Sequence, residues 1–153
     1  MASEQIFCDW LTVSQYHDIP HPAFNAGTKT TIDENGDITQ ISHIPKSYSG
    51  EHGSNLQISS DGNLVQVSGN PSRWNRSENY HGLSLDQAKT VINKILESVN
   101  LPAFTEGEIL QHTDGTQNYS GAQFSRIDMT ANIKTGSKSN AAAYLQYQQT
   151  QEY

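Results

Sequence analysis

Apolar and polar residues alternate through most of this chain, the rhythm of strands, and give way to a helical period in two places. "IFCDWLTVSQ" (6–15) is dense in β-branched and aromatic residues and predicts a strand. Phe7, Leu11 and Val13 fall on one face, and Ile6, Cys8 and Trp10 on the other. That suits a central strand covered on both sides, with Asp9 as the exception. "HDIPHPAFNAG" follows as a Pro/Gly-rich loop. Two hairpins come next: "TKTTIDENGDITQIS" turns at Asn35-Gly36 and "NLQISSDGNLVQVSG" at Asp61-Gly62. In the second, Leu56 and Ile58 face one way, and Val65 and Val67 alternate similarly on the return. "NPSRWNRSENYHG" (70–82) is a polar loop.

The period then changes. In "LSLDQAKTVINKILESVNLP", Leu85, Ala88, Val91, Ile92, Ile95, Leu96 and Val99 recur every three or four residues, an amphipathic helix. Ser84 with Gln87 fits a capping box, and Pro102 bars continuation. "GEILQHT" and "AQFSRIDMTANIK" predict a strand pair across a "DGTQNYSG" loop. "SKSNAAAYLQYQQTQEY" predicts a last helix with Ala142, Leu145 and Tyr144 inward. The order βββββ–α–ββ–α gives one α+β domain over residues 1–153, a largely antiparallel sheet with two helices packed on one face. "QQTQEY" carries no helix stop signal, so the domain is expected to be the N-terminal part of a longer protein.

Composition narrows the partners. A chain of 153 residues is long enough for one sizeable core. Charged residues at 16% and hydrophobic residues at 34% are both low, so surface and loops are neutral-polar. A net charge of −7 argues against non-specific coating of nucleic acid or anionic membrane, but leaves room for a local basic patch. Cys8 is the only cysteine, which excludes an internal disulfide and a cysteine-based zinc site. No apolar run approaches the roughly 18 residues of a membrane span. "MASEQIFCDW" lacks the basic and apolar regions of a secretory signal. A soluble intracellular protein is expected.

Three stretches could carry chemistry. In "FSRIDMTANI" (124–133), Ser125, Ile127, Met129, Ala131 and Ile133 share one face, and Phe124, Arg126, Asp128, Thr130 and Asn132 the other. With the apolar set under the helix, Asp128 projects from the opposite face on a rigid backbone. Such a carboxylate suits Mg²⁺, which takes one or two of them; a solvated face with an Arg126–Asp128 contact is the plainer alternative. Asp9, in a strand otherwise apolar on both sides, is costly unless paired or bound to a cation. If the two strands are neighbours, Asp9 and Asp128 converge on one site, to which His17 or His112 could add a ligand. A cap or a salt bridge to Arg126 is the other reading of Asp9. Two histidines flanking one apolar residue, the pattern of one nickase class, are absent.

In the 70–82 loop, Arg73 and Arg76 can hold phosphates, while Trp74 and Tyr80 offer faces for base stacking. Asn70, Asn75 and Asn79 can read base edges, and Lys46 and Tyr48 of "IPKSYSGEHGS" could lie beside them. A polar loop with one tryptophan docked on the core is an equal alternative. Tyr147 and Tyr144, on the last helix, are candidate nucleophiles for a strand transfer, with Tyr147 the more exposed. No Gly-rich phosphate loop, Gly-x-Ser-x-Gly elbow or His-Glu-x-x-His helix is present.

"FCDWLTVSQYHD", "VQVSGNPSRWNRSENYHGLSL" and "FSRIDMTANI…AAAYLQY" resemble, in that order, the N-terminal region of filamentous-phage rolling-circle replication initiators of the gene II/X type. In that family a "DWL" strand opens the chain, a "GNPSR"-like segment precedes the main helix and an "RID" strand follows it. The resemblance implies a protein that nicks one strand at the phage double-stranded origin by tyrosine transesterification, with Mg²⁺ or Mn²⁺. Its partner would be origin DNA, single-stranded or supercoiled, in the bacterial host cytoplasm, with no membrane. By position, Asp9 in "DWL" and Asp128 in "RID" become the metal carboxylates. Arg73, Trp74, Arg76, Tyr80, Lys46 and Arg126 become the DNA-contacting set. Complete initiators continue well past the last helix, so the catalytic tyrosine is Tyr147, Tyr144 or a residue beyond this chain. A non-catalytic DNA-binding module and a protein-interaction domain are the other classes to weigh.

Overall fold

The computed structural model describes residues 4–76, 82–133 and 137–150. Its spine is β1 (Glu4–Tyr16), which lies antiparallel between β6 (Leu64–Gly69) and β9 (Gln123–Ile133). β5 (Asn55–Ser60) and β4 (Lys46–Ser49) extend the sheet beyond β6, in the order β4-β5-β6-β1-β9. Register decides which side chains share a face. Val13 pairs with Val67 and Val67 with Ile58, while Leu11 pairs with Gly69 and Gly69 with Leu56.

The faces set by these pairs meet α1 (Leu85–Ser98), and Leu11, Val13, Leu56, Ile58, Val65 and Val67 pack with Ala88, Ile92, Ile95 and Leu96 as one core. Full burial of each large aliphatic side chain stabilises by about 1.5–3 kcal/mol, so the period-3.6 stripe of α1 is what seals the sheet. The helix begins on the predicted capping box, with Ser84 Oγ accepting from the Gln87 N–H and Gln87 Oε1 from the Ser84 N–H. It ends before Pro102 is reached. Asn100 takes a positive φ of 59°, Leu101 N–H reaches back to Leu96 O at 2.9 Å and Asn100 N–H to Glu97 O at 3.1 Å. That is a left-handed cap with a buried Leu101 sealing it.

Two bulges change which residues face the core. Cys8 pairs with Met129 and Trp10 with Asp128, leaving Asp9 as an extra residue in β1. Cys8 therefore joins Leu11 on the core face, and Phe7 moves to the face of Trp10. In β9, Arg126 pairs with Thr12 and Phe124 with Val13, so Ser125 is the extra residue. Phe124 packs against the core rather than lying beside Arg126 and Asp128. Ile127 and Met129 do share the core face, yet they stay 41% and 48% exposed because α1 does not reach them.

The α+β class and the largely antiparallel sheet stand, with local corrections. β4 occupies a stretch to which the sequence assigned no element, and pairs Tyr48 with Leu56. β7 (Ile109–Gln111) pairs with β8 (Gln117–Tyr119) in a small hairpin of its own, while β9 takes β1 as partner. β2 (Gly27–Ile32) and β3 (Ile38–Ile44) form the hairpin expected at Asn35-Gly36, as a separate two-stranded sheet. The second helix, α2 (Lys138–Thr150), forms, but Ala142 is exposed and Leu145 is 62% exposed rather than inward. No helix among the described residues is long and apolar enough to cross a membrane.

Candidate metal and DNA site

β1 and β9 are neighbours, so Asp9 and Asp128 lie on adjacent strands, with Trp10 next to the one and opposite the other. The bulge turns Asp9 out to solvent, so the desolvation cost reckoned from its apolar neighbours is not incurred. Its Oδ1 accepts from Asn70 Nδ2 at 3.1 Å. Asn70 also caps the short 3₁₀ turn Pro71–Arg73, its Oδ1 accepting from the Arg73 N–H.

Asp128 is held from its own strand. Arg126 Nε donates to both carboxylate oxygens, at 3.2 and 3.1 Å, and Nη2 donates to Oδ2 at 2.6 Å. The same guanidinium lies over the Trp10 ring, 5.1 Å from its centroid, a cation–π contact that helps hold the fork. Those hydrogen bonds, and the charge behind them, hold the Asp128 carboxyl below the usual carboxylate range. Burial pushes the Cys8 thiol up, and the charges of Asp9 and Asp128 push it further. Both carboxylates thus act on one short piece of β1. Trp10 Nε1 is buried with no hydrogen-bond partner among the described residues.

Two carboxylates on neighbouring strands are a donor set Mg²⁺ or Mn²⁺ accepts, water supplying the remaining positions. Asp9 commits one lone pair to Asn70, whereas Asp128 engages both oxygens with Arg126, so metal binding there requires Arg126 to yield. Among the described residues no group of three or more His, Cys, Asp or Glu is placed to hold a metal. The residue types suit a hydrated two-carboxylate ion once Arg126 releases Asp128.

The segment after β6 buttresses Asp9. Ser72 Oγ donates to Cys8 O at 2.5 Å and accepts from the Leu83 N–H, while the Cys8 N–H donates to Leu83 O. Trp74 is half-buried and stacks on Tyr48, centroids 5.6 Å apart and planes 17° from parallel. Tyr48 does lie beside this loop, and one face of Trp74 is taken. The side-chain oxygen of Asn75 accepts from the Glu51 N–H, which commits it to the fold. Arg73 is exposed and Arg76 half-buried; Lys46 sits over the Phe24 ring at 5.0 Å. Asn79 and Tyr80 fall outside the described residues.

The remaining candidates are scattered. Tyr147 is 60% exposed on α2, and the side chain of Tyr144 lies outside the described residues. His17 follows the far end of β1, eight residues and roughly 25 Å of strand from Asp9. His112 opens the tight turn joining β7 to β8, its N–H donating to Thr116 O. A cleft of about 580 Å³ between α1 and the 104–124 segment contains neither Asp9 nor Asp128. Sequence reasoning overlooked Trp10 as the platform for Arg126, and took Asn70 for a base reader. Only the strand register could have shown either.

The family described as the N-terminal region of the phage replication-associated protein, the gene II product, matches residues 7–152. A curated relative, the replication-associated protein of that name in Escherichia phage If1, is 37% identical over 105 residues, covering 64% of this chain and 32% of the relative. The matched region thus spans about a third of that relative's length. No solved structure matches.

Proposed function

This chain belongs to the family of phage replication-associated protein N-terminal regions, and from that premise we propose that it starts filamentous-phage DNA replication by the rolling-circle route. It binds origin DNA and supplies the carboxylates of a metal-assisted nicking centre. The observation that carries this reading is the placement of Asp9 and Asp128 on adjacent strands, astride Trp10. Both fall within the residues matched to that family.

The reaction is a transesterification. A tyrosine oxygen bonds to a backbone phosphorus, the ester bond to the leaving sugar oxygen breaks, and that oxygen takes up a proton. The strand remains joined to the protein. Mg²⁺ or Mn²⁺ held by Asp9 and Asp128 would offset charge on the phosphoryl and leaving oxygens. Asn70 orients the Asp9 carboxylate. Arg126, lying over the Trp10 ring, can exchange Asp128 for a DNA phosphate, freeing the carboxylate as substrate arrives. Arg73 adds a second phosphate contact near Asp9. Tyr147 is the nucleophile available on this chain, with Tyr144 second; in a longer protein the role can pass to a later tyrosine.

The test is a denaturing gel after incubation with labelled supercoiled and single-stranded origin DNA, with Mn²⁺ or EDTA. A metal-dependent adduct, lost in Asp128→Asn, is expected; no adduct under any condition contradicts nicking by this chain. The bidentate Arg126–Asp128 pair favours a second reading, a DNA-binding module that does not cut. That reading requires a native-gel shift unaffected by EDTA and by Asp128→Asn.

A further inference from the structure

The loop after β1 brings together two histidines that the nicking site does not use. His17 and His21 meet edge to face, ring centroids 5.9 Å apart and planes at 83°. Their backbones are clipped to the β5–β6 turn: His17 N–H donates to Asn63 O and His21 N–H to Gly62 O, each at 2.8 Å. Asn63 Nδ2 returns a bond to His17 O. On one side His21 is anchored, its Nε2 lying 2.5 Å from the Oγ of buried Ser60. On the other side both rings are unsatisfied. His17 Nε2 and His21 Nδ1 are buried from solvent and have no hydrogen-bond partner among the described residues.

A buried ring nitrogen without a partner is destabilising. Two of them side by side, on one tightly clipped loop, need a shared explanation. We propose that His17 and His21 are the imidazole ligands of a second cation site, one that takes a borderline transition ion such as Zn²⁺ and pins the 17–24 loop to the β5–β6 turn. With metal–nitrogen bonds of about 2.0–2.1 Å, two rings sharing one ion keep their centroids within roughly 6 Å, and the observed spacing meets that limit. Neutral imidazole is the ligand form, and burial together with its partner ring lowers the His17 pKa, which favours that form. Ser60 holds His21 as outer partners hold metal-bound histidines. The two imidazoles are the protein's donors, and water completes the shell.

This site differs from the Asp9/Asp128 pair in place and in chemistry. It lies at the other end of β1, and imidazoles select Zn²⁺, Ni²⁺ or Cu²⁺ where paired carboxylates select Mg²⁺ or Mn²⁺. Its role is to hold the loop rather than to react.

Zn²⁺ titration of the whole chain, followed by histidine imidazole NMR and by thermal melting, tests it. The resonances of His17 and His21 should move before those of exposed His52 and His112, and the Tm should rise saturably with Zn²⁺ but not with Mg²⁺. His17→Asn or His21→Asn should weaken apparent Zn²⁺ affinity roughly tenfold or more, with His112→Asn as an unchanged control. Movement of all histidines together, or a Zn²⁺-dependent rise in Tm preserved in His17→Asn/His21→Asn, overturns the proposal. Should either variant fail to fold, the order of movement in the unaltered protein decides.

Discussion

Arg126 meets two demands at once, lying over the Trp10 ring and forking the Asp128 carboxylate. Asp128 is held below its unfolded pKa, so the pair stabilises the fold above the ordinary carboxylate range, and that contribution is lost as pH falls through the depressed value. Arg126→Ala should raise the Asp128 pKa back toward the ordinary carboxylate range, as read by carboxyl ¹³C NMR; an unchanged titration would remove the guanidinium as the cause. Gly82 shows how close the packing around Phe7 is, since a Cβ there would run into the Phe7 ring and its Cβ. Gly82→Ala should destabilise by about 1–3 kcal/mol in urea unfolding; an unchanged midpoint would mean Phe7 can move aside freely.

Among the elements, α1 was legible almost completely. Its stripe and its capping box follow from local spacing, and Ile92→Ala should cost about 2–5 kcal/mol by denaturant melt. The stop at Asn100 was not legible, because Pro102 offered a sufficient reason and a left-handed asparagine leaves little trace. Strands were found but their faces were misread beyond the bulges. One extra residue, Asp9 or Ser125, exchanges every side chain that follows, and the alternation on each side looks unbroken. β4 and β8 escaped because four and three mostly polar residues carry no apolar rhythm. Gln15 lies on the core face of β1, almost fully buried. It bonds the Thr105 N–H and hydroxyl, each at 2.8 Å, tying the central strand to the segment after α1. Gln15→Leu strands that N–H, with an expected loss of about 1–3 kcal/mol. Equal stability of the variant would show that the segment re-pairs elsewhere.

At the scale of the molecule, a five-stranded sheet sealed on one side by α1 holds "DWL" and "RID" side by side. Sequence alone named both aspartates. It could not supply the bulge that exposes Asp9, the Asn70 that holds it or the Arg126 that covers Asp128, since all three depend on which strands pair. Arg126 covers Asp128, and Arg73 closes the turn capped by the Asn70 that holds Asp9, so two cations stand locally in an acidic chain, as the proposed DNA contact requires. The central claim is that Asp9 and Asp128 together hold a divalent ion. It is tested most directly by adding Mn²⁺ to the ¹⁵N-labelled chain and recording which amides broaden. Broadening centred on Asp9, Trp10 and Asp128, and abolished in Asp9→Asn/Asp128→Asn, is the predicted result. Broadening centred elsewhere, or undiminished in that double variant, would contradict it.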